Sequence, residues 1–567
     1  MSSRTASSTT LPVAHDVYTL PELPPTSPIR AYFPSSFPPN SCNSSTQTLV
    51  AHEAVSDAST TAGSHRDESD DEDDIAVPGK KGTRAYRYLR WNFGSVYRRI
   101  FTLAFLGNIA ALLVVIIRSL SGGPSSRLTP QTCATAVSAN ILAALVIRNE
   151  HIVNSMFRLC VLLPRPASVP LPVRRALAKI YSYGGIHSGC GVASLFWFIA
   201  FLVVLTGETT NQSTPTGALR AYVLLDSYLI CLLLILIVAF AHPRARVLLH
   251  NWFEGTHRFL GWTVVLLFWA LVMMLAEDAS RAARIPYGAA VASTPSFWML
   301  VAITLLVAYP WTRLRLRDVE AEAMSDHVVK LNFSYADAQY GQAVRLTDAP
   351  LRETHAFAVI PNPAAPPCSS NSDAAEKGLA GKSATGLSNA GKKGFSVLVS
   401  NAGDWTDKII KNPPKQIYTR GVPQYGVLRV AGLFEPCIVV ATGSGIGPCL
   451  SLFVQRPEHP VRIVWSTQRP AETYGQAVLD TIYAADPEAV VIDTKKTGRP
   501  DLVAITYRIW EASRRRSGGL AQIANPGARQ TGACEAVVII SNQKVTRKVV
   551  YGLESRGVPA YGAIFDS

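Results

Sequence analysis

Six apolar stretches, at about 100–120, 132–152, 188–206, 222–241, 259–276 and 297–311, constrain this chain more than any other feature. Each comes near the roughly 20 residues that a helix needs to cross the hydrocarbon of a bilayer. Backbone placed in lipid must satisfy its own hydrogen bonds, so the stretches predict a membrane all-α bundle of six helices over residues 83–317. Arg84, Arg87, Arg90, Arg98 and Arg99 precede the first stretch, and Arg158, Arg165, Arg174, Arg175 and Lys179 separate the second from the third. Arg244 and Arg246 lie between the fourth and fifth, while Arg313, Arg315 and Arg317 follow the sixth. Basic loops stay on the cytoplasmic side, which predicts a multi-pass protein of the plasma membrane or an endomembrane with both termini in the cytoplasm. The tripeptide Asn211-Gln212-Ser213 then faces outward as a glycosylation sequon.

This distribution also accounts for a formal net charge of +14, because the Lys and Arg residues flank apolar segments where anionic headgroups lie. Membrane lipid is therefore an expected partner and nucleic acid is not. The nine cysteines form no CxxC pair and no metal-ligand spacing, so neither a disulfide framework nor a zinc site is expected. Residues 1–82 are rich in Ser, Thr, Pro and Ala, carry the acidic run 67–74, and begin without an apolar h-region. They are expected to form a disordered cytoplasmic tail with no cleavable signal.

Beyond the sixth stretch the periodicity changes. Alternating residues at 327–331, 342–346 and 395–399 predict an antiparallel β-barrel domain over 324–432, interrupted by an Ala-, Ser-, Gly- and Lys-rich insertion at 362–394. Apolar runs at 437–440, 461–465, 490–492 and 536–540 predict an α/β domain with a parallel sheet over 433–567. The first of these runs leads into Gly443, Ser444, Gly445, Ile446, Gly447 and Pro448, followed by a helical stretch. Glycines admit the close approach of a pyrophosphate, and a helix N-terminus supplies unpaired N–H groups, although a plain tight turn has the same composition.

The loop closely resembles the nucleotide loop of the ferredoxin-NADP reductase superfamily, and the order of barrel, strand and loop is similar as well. Further landmarks resemble the ferric reductase and NADPH oxidase branch: His355-Ala356-Phe357-Ala358, Gly403-Asp404-Trp405-Thr406, the turn from Arg420 to Gly426, and Gly498-Arg499-Pro500. The resemblance implies a cytoplasmic ferredoxin-reductase-like module in which the loop 443–448 takes NADPH. It further implies FAD, with His355 at its phosphates, Phe357 on the isoalloxazine, and Gly403 and Thr406 opening the helix that receives the pyrophosphate. Two positions depart from that pattern. Ala358 replaces a hydroxyl residue near the flavin N5, and Ser541-Asn542-Gln543 replaces a Cys-Gly-Pro-like turn, leaving Ser541 as the candidate catalytic group beside the nicotinamide.

The C-terminal stretch from Ser541, with Thr256-His257-Arg258-Phe259, is similar to the fungal TmpA group of integral membrane proteins. That group is linked to developmental signalling and is found joined to adenylating, NRPS-like enzymes, which implies such an enzyme as a partner. Transmembrane reductases of the branch place two histidines about 13 or 14 residues apart on each of two helices, so that at 1.5 Å per residue two haems stack about 20 Å apart. Here His187 and His257 supply only the inner pair, and Ala200, Phe201, Ala270 and Leu271 occupy the outer positions. The expected metal ligands are His187 and His257 for one inner haem b, against the alternative that they meet only headgroups or backbone carbonyls. The expected function is a membrane-bound flavoprotein oxidoreductase. It passes electrons from NADPH through FAD to the inner haem or a local acceptor, in developmental signalling or secondary metabolism. The alternative is a catalytically weak membrane sensor or scaffold that binds FAD and NADPH.

Overall fold

The computed structural model describes residues 76–123, 127–162, 168–210, 217–363, 393–518 and 532–564. Most of the expected tail, the sequon Asn211-Gln212-Ser213 and nearly all of the insertion at 362–394 lie outside the described residues.

The N-terminal half is helical. It contains α1 (Arg84–Asn92), α2 (Val96–Ser121), α3 (Pro130–Val146), α4 (Glu150–Leu162), α5 (Leu171–Leu177), α6 (Gly184–Thr210), α7 (Ala218–Ala241), α8 (Pro243–Leu248), α9 (His250–Ala283), α10 (Tyr287–Ala292) and α11 (Pro295–Thr312). Among the described residues five segments are long and apolar enough to cross a membrane: Val96–Ser121, Leu171–Thr210, Ala218–Ala241, Trp252–Ala283 and Pro295–Thr312. The expected second span, 132–152, is not one helix, because α3 and α4 meet at a bend of 61°. Asn149 causes the break by capping the new helix, its Oδ1 accepting from the backbone N–H of His151 at 3.0 Å. Six spans are reached only if the bent pair is taken as one.

Small residues set the packing of the helices. A Cβ at Gly185 would lie 2.4 Å from the carbonyl oxygen of Tyr97, and one at Gly189 would lie 2.8 Å from that of Phe101, so α6 touches α2 backbone to backbone. Asn140 donates to Asn108 at 2.8 Å and Trp197 Nε1 donates to the same oxygen at 3.1 Å, tying α2, α3 and α6 together in an apolar surround.

The C-terminal half has two sheets. The first comprises β1 (Arg315–Asp318), β2 (Glu320–Ser325), β3 (Val328–Phe333), β4 (Gln342–Thr347), β5 (His355–Pro361), β6 (Phe395–Ser400) and β7 (Gln416–Tyr425), in the order β1-β7-β4-β5-β6-β3-β2. Its pairings are antiparallel, and Val329, Leu331, Val344, Leu346, Val397 and Val399 fill its core. The sheet begins upstream of the expected 324, since β1 and β2 are edge strands whose charged, exposed residues carry no apolar face.

The second sheet comprises β8 (Cys437–Thr442), β9 (Val461–Thr467), β10 (Val490–Asp493), β11 (Ala536–Ile540) and β12 (Ala560–Gly562), all parallel, in the order β10-β9-β8-β11-β12. The accompanying helices are α12 (Asp404–Lys411), α13 (Ile446–Gln455), α14 (Pro470–Tyr474), α15 (Gln476–Ala485), α16 (Thr494–Thr497), α17 (Leu502–Gly518) and α18 (Gln543–Glu554). Strands covered on both faces need continuous apolar runs, which is how β8, β9 and β11 read. An antiparallel sheet domain followed by a parallel α/β domain is the two-part order that was expected.

The bend at Asn149 sends α4 onto β7. Glu150 is buried there, its carboxylate accepting from Arg345 at 2.8 Å and from the N–H of Val422 at 2.7 Å. Asn154, one turn on, donates to Pro423 O at 2.8 Å and accepts from Tyr425 N–H at 2.9 Å. Asn154→Ala strands the buried Tyr425 N–H and leaves Pro423 O only the long contact from Gln342 Nε2 at 3.5 Å, with an expected loss of about 1–3 kcal/mol. Thermal unfolding of the purified full chain measures it, and an unchanged midpoint would show that this contact does not hold the halves together.

Candidate nucleotide site

In the parallel sheet, β8 comes first in the chain, β9 and β10 lie to one side of it, and β11 and β12 lie to the other. The connections therefore run in opposite directions from β8 and β11, and a crevice opens at the carboxyl ends of these two strands. Thr442 ends β8 and Ser541 follows β11, their hydroxyl oxygens 2.5 Å apart across the crevice floor. The predicted residues Gly443, Ser444 and Gly445 make the single turn above it, and Ile446, Gly447 and Pro448 open α13. Gly443 has φ 51°, and its carbonyl accepts from Trp465 Nε1 at 3.0 Å. A Cβ on Gly445 would lie 2.2 Å from the carbonyl oxygen of Ile540, so only glycine lets the turn rest on the end of β11. No side chain caps α13; the N–H of Ile446 turns back to Gly443 O and Pro448 has none, which leaves Gly447 N–H as the donor of these first three residues for an anion. Gly447 lies against the antiparallel domain, its Cβ position 3.6 Å from Leu398 on β6.

The predicted flavin residues also gather in one place. His355 and Phe357 on β5 both stack on Trp405, with ring centroids 4.4 Å and 5.7 Å away, and Gly403 and Thr406 flank that tryptophan at the start of α12. The Thr406 hydroxyl oxygen accepts from Ala402 N–H at 2.8 Å and Gly403 N–H at 3.0 Å, so it closes its own turn. His355 Nε2 and Trp405 Nε1 are buried with no hydrogen-bond partner among the described residues, an arrangement suited to an oxygen-rich aromatic dinucleotide. Asp407, which stands in the first turn, is engaged by Asn401 at 3.0 Å and Lys411 at 2.8 Å, while Asp404 is exposed. The tryptophan of Gly403-Asp404-Trp405-Thr406 is the central residue here, although the motif drew attention to its neighbours. Arg420 on β7 lies over Trp311 at 4.6 Å, and burial, followed by the charges of Arg345 and Arg258, pushes its guanidinium down to about 10.

The two candidate iron ligands come together as well. The rings of His187 and His257 lie 6.1 Å apart, His187 Nδ1 lies 2.9 Å from Ala144 O, and His257 Nδ1 is buried with no partner among the described residues. An imidazole held through one nitrogen can present the other to a metal; His187 is held this way and His257 is not. Among the described residues no group of three or more His, Cys, Asp or Glu gathers into a metal cluster.

Comparison with known proteins identifies similarity to one named group. The family described as Adenylate-forming reductase 03009, C-terminal domain, matches residues 427–517 and 509–567. Adenylate-forming reductase 03009 of Coprinopsis cinerea is 38% identical over 490 residues, 86% of this chain and 42% of that protein. Adenylate-forming reductase 06235 of the same fungus is 36% identical over 492 residues, 87% of this chain and 42% of that protein. The chain thus spans less than half the length of the curated relatives it matches.

Among solved structures, the flavohemoglobin of Malassezia yamatoensis with bound FAD and heme aligns at 16% identity and TM-score 0.31, covering 73% of this chain and 99% of that one. Ferredoxin-NADP+ reductase of Plasmodium falciparum aligns at 12% identity and TM-score 0.28, covering 45% and 96%. These are partial likenesses.

The relatives correct the functional expectation. Proteins sharing most of this chain are named adenylate-forming reductases, not membrane flavoproteins that pass electrons from NADPH through FAD to a haem, nor sensors or scaffolds. What the comparisons establish is that this chain is similar, through most of its length, to part of two adenylate-forming reductases, and through its parallel-sheet domain to their C-terminal domain.

Proposed function

We propose that this chain is a nucleotide-binding reductase module of the kind carried by adenylate-forming reductases, and that it serves the reduction of a carboxylic acid activated as its acyl adenylate. The crevice between β8 and β11 carries the reading, with Gly443 and Gly445 shaping the turn and the uncapped start of α13 facing it. The proposed occupant is NADPH, which when bound supplies a hydride. Arg469, Lys495 and Lys496 follow the carboxyl ends of β9 and β10, where their charge favours the extra phosphate that distinguishes NADPH from NADH. FAD is the proposed ligand of His355, Phe357 and Trp405, and haem b that of His187 and His257. The acid-activating step falls to the part of the relatives that this chain does not span. An adenylating enzyme is accordingly the proposed partner, in line with the resemblance to the TmpA group, and the apolar helices are proposed to sit in a membrane.

Calorimetric titration of the full chain with NADP+ and NAD+ tests the central claim: saturable binding, tighter for NADP+, is expected. Absence of binding by either nucleotide would remove it. Heat-released flavin and a Soret band abolished by H187A and H257A test the other two cofactors separately, and resistance to carbonate extraction tests the membrane. Ser541 shares its hydroxyl with Thr442 at the crevice floor, so Ser541→Ala is expected to change nucleotide affinity by no more than about tenfold, the worth of one neutral hydrogen bond. A much larger loss would make Ser541 a direct ligand.

A further inference from the structure

A cavity of about 580 Å³, within the size range of small-molecule sites, opens between α1, the first turn of α2 and α18. Lys81, Arg87, Arg90, Arg98, Arg99 and Arg547 line it. Glu554 is the one carboxylate among the lining residues, and it is held by Lys179 at 2.9 Å. Arg90, Arg98 and Arg99 are exposed and make no ion pair among the described residues. Arg87 Nη1 donates to Gly82 O at 2.5 Å, while its Nε is buried with no partner among the described residues. Like charges gathered on a shared wall repel one another, and an anion between them relieves the repulsion.

The helix above the cavity has a second character. In α1, Arg84, Arg87 and Arg90 recur at every third residue, and Tyr88, Leu89 and, just beyond, Phe93 are exposed. Arginines alternating with exposed aromatic and aliphatic groups are the marks of a helix lying in a membrane interface. Its neighbour α2 is the first of the long apolar helices. Cations below and apolar surface beside them complement an amphiphile with a phosphorylated head.

We propose that this cavity binds the phosphate headgroup of an anionic glycerolipid, with Arg90, Arg98 and Arg99 holding the phosphate and Tyr88, Leu89 and Phe93 meeting the acyl chains. Trp91 packs edge-on against Tyr551 of α18 at 5.0 Å, and Lys81 N–H donates to Ser555 O at 2.7 Å, so the wall that carries α1 is joined to the domain of α18. The proposal rests on the membrane reading for the source of the lipid, and a water-soluble lipid tests it independently of insertion.

The full chain in neutral detergent is titrated with dihexanoyl phosphatidic acid, dihexanoyl phosphatidylcholine and inorganic phosphate, with calorimetry and thermal unfolding as readouts. Phosphatidic acid is expected to bind saturably and raise the unfolding midpoint, and phosphatidylcholine to do neither. Inorganic phosphate, lacking the apolar contacts, is expected to bind at least about tenfold more weakly. The triple variant R90Q/R98Q/R99Q is expected to lose at least about tenfold in phosphatidic acid affinity with its lipid-free midpoint unchanged, and the triple lysine variant to retain most of it. If the triple variant does not fold, R90Q alone, on an exposed position, is expected to show a smaller loss in the same direction. Equal binding of phosphatidylcholine, equal binding of inorganic phosphate, or an unchanged affinity in the glutamine variants would each overturn the proposal.

Discussion

Replacing Arg174 with Ala is expected to cost about 3–5 kcal/mol, because it leaves a carboxylate without its partner in a largely water-free contact. Arg174, on α5, is 5% exposed and grips Glu535 with both Nη atoms, with Nη2 to Oε1 at 2.6 Å. Its Nη1 also donates to Leu433 O at 2.7 Å and its Nε to Val169 O at 3.0 Å, while Glu535 accepts from the N–H of Glu435 at 2.9 Å. One side chain thus joins the helical half to the entrance of β8 and β11. Thermal unfolding and limited proteolysis of the purified full chain provide the measurement, with the C-terminal half expected to become cleavable. Restoration of stability by the apolar pair Arg174→Met with Glu535→Leu would show that the loss came from the stranded charge. Wild-type stability in Arg174→Ala alone would remove the clamp.

The second large effect is at Gly445. Gly445→Val is expected to weaken nicotinamide nucleotide binding by at least about 100-fold, roughly 2.7 kcal/mol, because the turn must leave the end of β11 to make room for a side chain. A Cβ there would lie 2.2 Å from backbone oxygen, which cannot rotate away as a side chain would. The same overpacking is expected to reduce stability by about 1–3 kcal/mol. Gly447→Ala is the internal comparison, since its Cβ would meet Leu398 at 3.6 Å, an ordinary contact, and its effect on affinity is expected to be much smaller. Titration of both variants decides the matter, and equal losses would place the nucleotide elsewhere in the fold.

The nucleotide turn was legible because its chemistry is local: three glycines within five residues, at the end of an apolar strand, specify a backbone that approaches a phosphate whatever surrounds it. The same holds for the antiparallel and parallel sheets, whose alternating and continuous apolar patterns differ in any context. The edge strands β1 and β2 were missed because a charged edge carries no such pattern. Apolar length alone merged α3 and α4 into one stretch, although Asn149 and Glu150 stood within it as the available signal of a break. The central place of Trp405 between His355 and Phe357 depends on β5 meeting α12, which no spacing along the chain reveals.

By itself, then, the sequence determined the apolar helices, the two sheet types and the glycine turn, since each follows from side-chain period and backbone freedom within a short window. Tertiary structure alone decided which distant groups meet: Thr442 with Ser541, His187 with His257, Glu150 with Arg345, Arg174 with Glu535, and the arginines of α1 and α2 around one cavity. The four pairings join residues as many as 361 positions apart, and they form because burial leaves each charged or polar group only the partners that packing brings to it.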